Sequence, residues 1–461
     1  METTHTIEKT KRQNLLSNIN KFWYTNYYFV LIGLLSFVFW CSNLSSVGIA
    51  LLMLVGTLVA FTCKDSAPLL PLLPLMVVSV SKTDFMTSTT DLAVVITFGV
   101  IFAISIIYNL ARFKHPVSKG QLTLPLILVS IALILGGIGY ADAKSYANGI
   151  LFIFCLGPLM LVLYSFAISR MDLPSEVDHK KYFAKIVAIC TIVCAGEVVV
   201  AQLRVEGDIL NHVRAVLSVG WANRASLVMV LVLGLSSVFY LAENCKRAHF
   251  FAYLGAFAIF ICLILTFGRG GIIFGTLELI AIVICLLIKG KHKRPLLLCI
   301  ATGILILLIG CIIYWDSMVL ILNKLHDLGL NSSGRTNIYK EGWECFLRSP
   351  LFGVGLGFID VNTTHNIPNV IFWFHSTPIQ VIASMGVFGL VCYAYYYVKR
   401  IQILKKNKSN FTLFMAFGII ALELHCLIDA GTFQPFPYVY YLIMMHAFIE
   451  YDTKKQQIQI G

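Results

Sequence analysis

The sequence predicts an all-α fold: a polytopic bundle of about 12–14 transmembrane helices with one large loop that carries short helices. Three observations predict it. The 461-residue chain is 58% hydrophobic and only 13% charged, about half the charge of a typical water-soluble protein. Apolar runs long enough for a helix to cross a hydrocarbon core of roughly 30 Å recur along its whole length. These runs do not alternate apolar with polar residues, which a membrane β-barrel would require.

Taken in order, residues 1–26 form a polar tail, too long and too polar for the front of a cleavable signal peptide, so the first span is expected to stay. Fourteen candidate spans follow, near 27–41, 45–62, 67–80, 91–110, 122–140, 147–168, 183–201, 222–241, 249–267, 270–288, 295–315, 376–398, 411–427 and 436–450. The third contains Pro68, Pro71 and Pro74 and reads as broken or re-entrant. The organisation is thus a transmembrane bundle at 27–201, a loop at 202–221, further spans at 222–315, a large loop at 316–375, the last spans at 376–450 and a tail at 451–461. No internal repeat of the kind that marks many transporters stands out.

The net charge of +12 would point to nucleic acid in a soluble protein. Here topology explains it, and no nucleic-acid partner is expected. Of the 35 Lys and Arg, all but ten fall on segments that share one side when the N-terminus is placed inside. By the positive-inside rule both termini are cytoplasmic, and 202–221 and 316–375 lie outside. The 13 cysteines are scattered through apolar spans without metal-ligand or disulfide spacing, and read as small buried apolar residues.

The large outer loop is the informative stretch. Thr336 to Arg348 has helical composition, with Ile338, Tyr339, Trp343, Phe346 and Leu347 as an apolar face suited to a membrane surface. Ser349-Pro350 ends it, and Gly353-Val354-Gly355-Leu356-Gly357 permits sharp turns. Arg214, Arg269 and Arg335 all fall on the outer side. Their planar forks of donors suit a lipid-linked phosphate or pyrophosphate; for each one alone, pairing with lipid headgroups is the plainer explanation. His375, at the lip of the next span, is a candidate general base, with His365 as its rival. Glu423, His425 and Asp429 are ionisable groups in or near a span and are candidates on that ground. Asp429 lies at the outer end, placed to orient a histidine or pair with an arginine, while Glu423 and His425 are placed to bond each other between helices. DxD, GxxxxGK[ST] and HExxH motifs do not occur in the sequence. The reading therefore calls for no metal and no cofactor, and for a substrate that brings its own leaving group.

From Trp221 to Lys399 the chain resembles the bacterial O-antigen ligase and polymerase family of membrane glycosyltransferases. The matching pieces are WANR before a span, TFGRGG after the next, SSGRTNIYKEGWECFLRSPLFGVGLGF, and His375 ten residues before MGVFGL. The resemblance implies transfer of a glycan from undecaprenyl pyrophosphate to an acceptor, either a glycan or lipid-linked, at the outer face of the bacterial inner membrane. It implies catalytic roles for Arg335 and His375, and donor contacts from Arg214 and Asp429. Arg269, read from its outer position, is the further donor-contact candidate. The family's His-Asn pair stands here as His375-Ser376. His365-Asn366 keeps the pair at a different distance from MGVFGL. A lipid-linked glycan flippase or other polytopic transporter is the alternative; such a protein would carry charged groups along a cavity at mid-membrane.

Overall fold

A computed structural model describes residues 19–81, 89–206, 212, 224–313, 319, 335–358, 372–429 and 431–460. Helices stand at all fourteen places where spans are expected. They are α1 (Asn26–Cys41), α2 (Ser45–Thr62), α3 (Leu72–Val78), α4 (Thr89–Arg112), α5 (Thr123–Leu135), α6 (Ala143–Leu156), α7 (Pro158–Arg170), α8 (His179–Leu203), α9 (Arg224–Glu243), α10 (His249–Ile264), α11 (Arg269–Lys289), α12 (Lys293–Ile313), α13 (Arg335–Arg348), α14 (Thr377–Lys406), α15 (Asn410–Cys426) and α16 (Tyr440–Ile460). Helix α13 is not one of the fourteen, and α6 and α7 together make one span, broken at Gly157 before Pro158.

Among the described residues six helical stretches are long and apolar enough to cross a membrane: α2, α4, the α6–α7 pair, α8, α11 and α14. Helix α4 makes the case for lipid most directly, because only 6% of its apolar window is buried. A helix that apolar, with one face on α2 and so little of the rest covered, is stable in hydrocarbon and not in water. The proline-rich third span is broken as expected. A 3-10 turn over Ala67–Leu69 leads into the short α3, and Tyr28 donates to the free carbonyl of Pro68.

Polar contacts sort the helix ends into two sets. At one end Asn109 donates to the carbonyls of Ala60 and Cys63, Arg170 reaches Asn109, Glu450 accepts from Gln121, and Asp452 bonds His179 and Asn407. At the other end Gln202 donates to Leu265, and Gly137 packs on Gly355 and Gly149 on Gly357.

The segment that follows α13 penetrates the bundle. Helix α14 is interrupted at Gly386, whose φ of 62° and ψ of −156° are not helical. The break parts the carbonyls of Ala383 and Ser384 from the N–H groups of Val387 and Phe388. Residues 350–355 fill the gap: Val354 N donates to Ala383 O (2.8 Å), Gly355 N to Ser384 O (3.0 Å), Val387 N to Pro350 O (2.8 Å) and Phe388 N to Leu351 O (3.1 Å). All four orphaned groups are satisfied, which a helix broken within a membrane protein requires. Gly353 turns this insertion with φ 68°, and a Cβ there would strike the backbone of Ser384 and Met385. Gly353→Ala is expected to destabilise the protein by about 2–5 kcal/mol, from left-handed strain plus overpacking; unfolding in detergent measures it, and an unchanged midpoint would refute it.

The apolar face of α13 divides. Ile338, Gly342 and Cys345 are buried, with Gly342 against Phe374 and Ile379. Trp343 and Leu347 stay exposed and join Leu351 in an apolar edge.

Candidate active site

Three of the expected residues converge at the C-terminal end of α15. Helix α15 ends at Cys426, and the chain continues through Leu427 and Ile428 to Asp429. Arg335, the first residue of α13, donates from Nη1 to the Ile428 carbonyl at 2.8 Å. That carbonyl lies beside the C-terminal end of a helix, where partial negative charge favours a cation. His375 Nδ1 stands 3.3 Å from Asp429 Oδ1. The Asp429 side chain is 13% exposed and that of His375 is 40% exposed. An Nδ1–H donated to Asp429 leaves Nε2 with its lone pair, as a general base requires.

The backbone around His375 is held from several sides. Its φ of +48° is a left-handed conformation, unusual for a residue with a side chain and found most often at functional sites. Tyr339 on α13 donates its hydroxyl to the His375 carbonyl at 3.1 Å. Burial pushes the Tyr339 hydroxyl pKa up, with Arg335 opposing and Asp429 adding to the shift, so it stays a donor. Gln380, 1% exposed, accepts from Phe374 N at 2.9 Å and donates to Ser384 at 3.1 Å. Helix α14 then starts at Thr377-Pro378 with Ser376 as N-cap, where proline's missing N–H costs nothing.

Arg269 is the first residue of α11, and the first turn of that helix packs on the last turn of α15 through Gly270, His425 and Ile428. Arg269 therefore heads the helix whose first turn meets the end of α15 just before Asp429. Arg214 and His365 lie outside the described residues.

The expected Glu423–His425 bond does not form. Glu423 instead pairs with Arg400 of α14 at 2.5 Å, and Arg400 is 2% exposed. His446 bonds the Leu442 carbonyl through Nδ1, which leaves Nε2 to accept from Arg400 Nε at 3.4 Å. This cluster was hidden because its partners are 23 and 46 residues from Arg400, and because an arginine next to Lys399 reads as an ordinary inner-face charge.

An apolar groove of about 480 Å³ runs between α14 and α15. It begins at Thr377, Pro378 and Leu427, adjoining the His375–Asp429 pair, passes Val381, Leu390, Ile420 and Leu424, and reaches Arg400 and Leu404.

Comparison with known families gives a match to the O-antigen ligase family over residues 254–394. A search of curated proteins gives no match. The matched stretch holds Arg269, Arg335 and His375, and ends in the second half of α14. The chain is a polytopic helical membrane protein, and its residues 254–394 are similar to the O-antigen ligase family.

Proposed function

We propose that this protein is an integral-membrane glycosyltransferase that moves a glycan from undecaprenyl pyrophosphate to an acceptor sugar during surface-polysaccharide assembly. The observation that carries the reading is the His375–Asp429 pair beside Arg335, two of whose three members lie in the O-antigen ligase match. In this reading Asp429 fixes the His375 tautomer, and Nε2 takes the proton of the acceptor hydroxyl. The hydroxyl oxygen attacks the anomeric carbon with inversion, and the electron pair of the broken C–O bond leaves on the diphosphate. Arg335, with Arg214 and Arg269, offsets that charge. The groove between α14 and α15 receives the first part of the donor's lipid, since its mouth adjoins the reacting groups. The site faces the outside of the bacterial inner membrane, and the termini face the cytoplasm.

A lipid-linked glycan flippase is the second reading, and the buried Arg400–Glu423 pair favours it, because transporters place charge inside the membrane. The glycan profile of cells lacking the protein separates the two. With wild type restored, surface glycan returns; with Arg335→Ala, transfer falls at least about a hundredfold, as for lost charge stabilisation elsewhere. In the enzyme reading lipid-linked glycan still appears on the outer face when the variant is present; in the flippase reading it stays inside. Single repeats on the surface would mark a lost polymerase, and long unattached lipid-linked chains a lost ligase. A normal profile with Arg335→Ala would overturn the assigned site.

A further inference from the structure

The site contains a second feature that the arginines and the His375–Asp429 pair leave unused. Helix α11 is 21 residues long and starts at Arg269 after an extended Gly268, which has no side chain to cap the first turn. A helix start leaves its first N–H groups without intrahelical partners and carries partial positive charge, which suits an anion. Gly270 lets the end of α15 approach this turn closely: a Cβ there would stand 2.9 Å from His425 Nε2 and 2.9 Å from Ile428 Cδ1. The imidazole edge of His425 therefore faces the turn.

His425 is itself unusual. It is 4% exposed, and its Nδ1 is buried without a hydrogen-bond partner among the described residues. The nearest ring is Phe274, one turn further along α11, at 6.1 Å and 77°. An unpaired polar atom buried in this way is costly, and the ring that carries it meets the helix start through its Nε2 edge; Ile428, whose carbonyl holds Arg335, also donates its N–H to the His425 carbonyl at 3.0 Å.

We propose that the first turn of α11 and His425 form a phosphoryl-oxygen subsite of their own. This rests on the lipid-diphosphate reading above. Arg335 takes one phosphate of the donor, and the backbone N–H groups of the α11 turn with the His425 N–H take oxygens of the other. His425 transfers no proton. It donates a hydrogen bond that strengthens as the anomeric C–O bond breaks and negative charge gathers on the departing diphosphate, while the acceptor's proton goes to His375. The arrangement selects a diphosphate over a monophosphate, because only a diphosphate reaches both places.

The test uses the full-length protein in lipid nanodiscs, with undecaprenyl pyrophosphate and undecaprenyl phosphate as probes and thermal stabilisation as readout. Wild type should prefer the diphosphate. His425→Leu should weaken diphosphate binding about ten- to a hundredfold, the range of one hydrogen bond to a charged group, and leave the monophosphate unchanged. His425→Gln, which keeps an N–H donor, should recover most of the preference. A purely structural histidine would lower both affinities together or neither, and either result overturns the proposal. Should His425→Leu fail to fold, Gly270→Ala reads the same subsite from the helix side: its methyl group fills the turn, and an undiminished diphosphate preference again overturns the proposal. If wild type binds neither probe, the lipid-diphosphate reading itself falls.

Discussion

His375→Ala is expected to reduce glycan transfer by about a hundred- to ten-thousandfold, the usual weight of a general base, while protein level and donor binding stay near normal. The side chain is 40% exposed and packs little of the core, so its loss removes chemistry and not structure. Its backbone is in a left-handed conformation held by Tyr339 and the start of α14, and a Cβ is still present in the variant. Asp429→Asn should act on the same step through the tautomer: the amide oxygen still accepts from Nδ1, but the negative charge that stabilises the developing imidazolium is gone. Single-turnover transfer with preloaded donor measures both. Transfer at wild-type rate in His375→Ala would sink the base assignment and move His365 to the front.

Glu423→Leu is expected to cost about 3–5 kcal/mol of stability, the penalty for stranding one member of a buried ion pair. Arg400 cannot escape to water. Asn407, the C-cap of α14 seven residues beyond Arg400, bonds Asp452 at that end of the bundle, so the Arg400 backbone lies roughly 10 Å from it at ~1.5 Å per residue. Its guanidinium runs further in, 5.1 Å from the Tyr396 and Tyr397 ring centroids. Replacing both partners, Arg400→Met with Glu423→Leu, should recover most of the loss, since two apolar side chains suit the groove walls. Denaturation in detergent of the two singles and the double gives the coupling. A single variant no worse than the double would show that the pair contributes nothing to holding α14 against α15.

Much of the architecture was legible in the sequence, because membrane helices are local. Each span satisfies its own backbone hydrogen bonds, so length and apolarity suffice to place it, and the count of basic residues adds which loops share a face. The proline-broken third span and the outer helix ending before Ser349-Pro350 were readable for the same reason: proline acts on its own backbone and that of its neighbour. Arg335, His375 and Asp429 were singled out in the sequence one by one, by their chemistry, and they lie close together in the structure.

What only the tertiary structure decided depends on contacts between distant segments. His375 and Asp429 meet across 54 residues, and Arg335 and Ile428 across 93. The glycine run 353–357 promised a turn; that it enters the bundle and repairs a broken α14 depends on Gly386, which the sequence presents as one glycine inside an apolar run. Glu423 chose Arg400 over the nearby His425, because residues two apart on a helix face different directions and a charge inside a membrane is stabilised most by an opposite charge. The sequence by itself determined a membrane bundle and a short roster of arginine, histidine and acidic candidates at the ends of its spans. Packing determined which of those groups touch, since side chains in a bundle find partners by helix rotation and depth, and neither is written in the order of the residues.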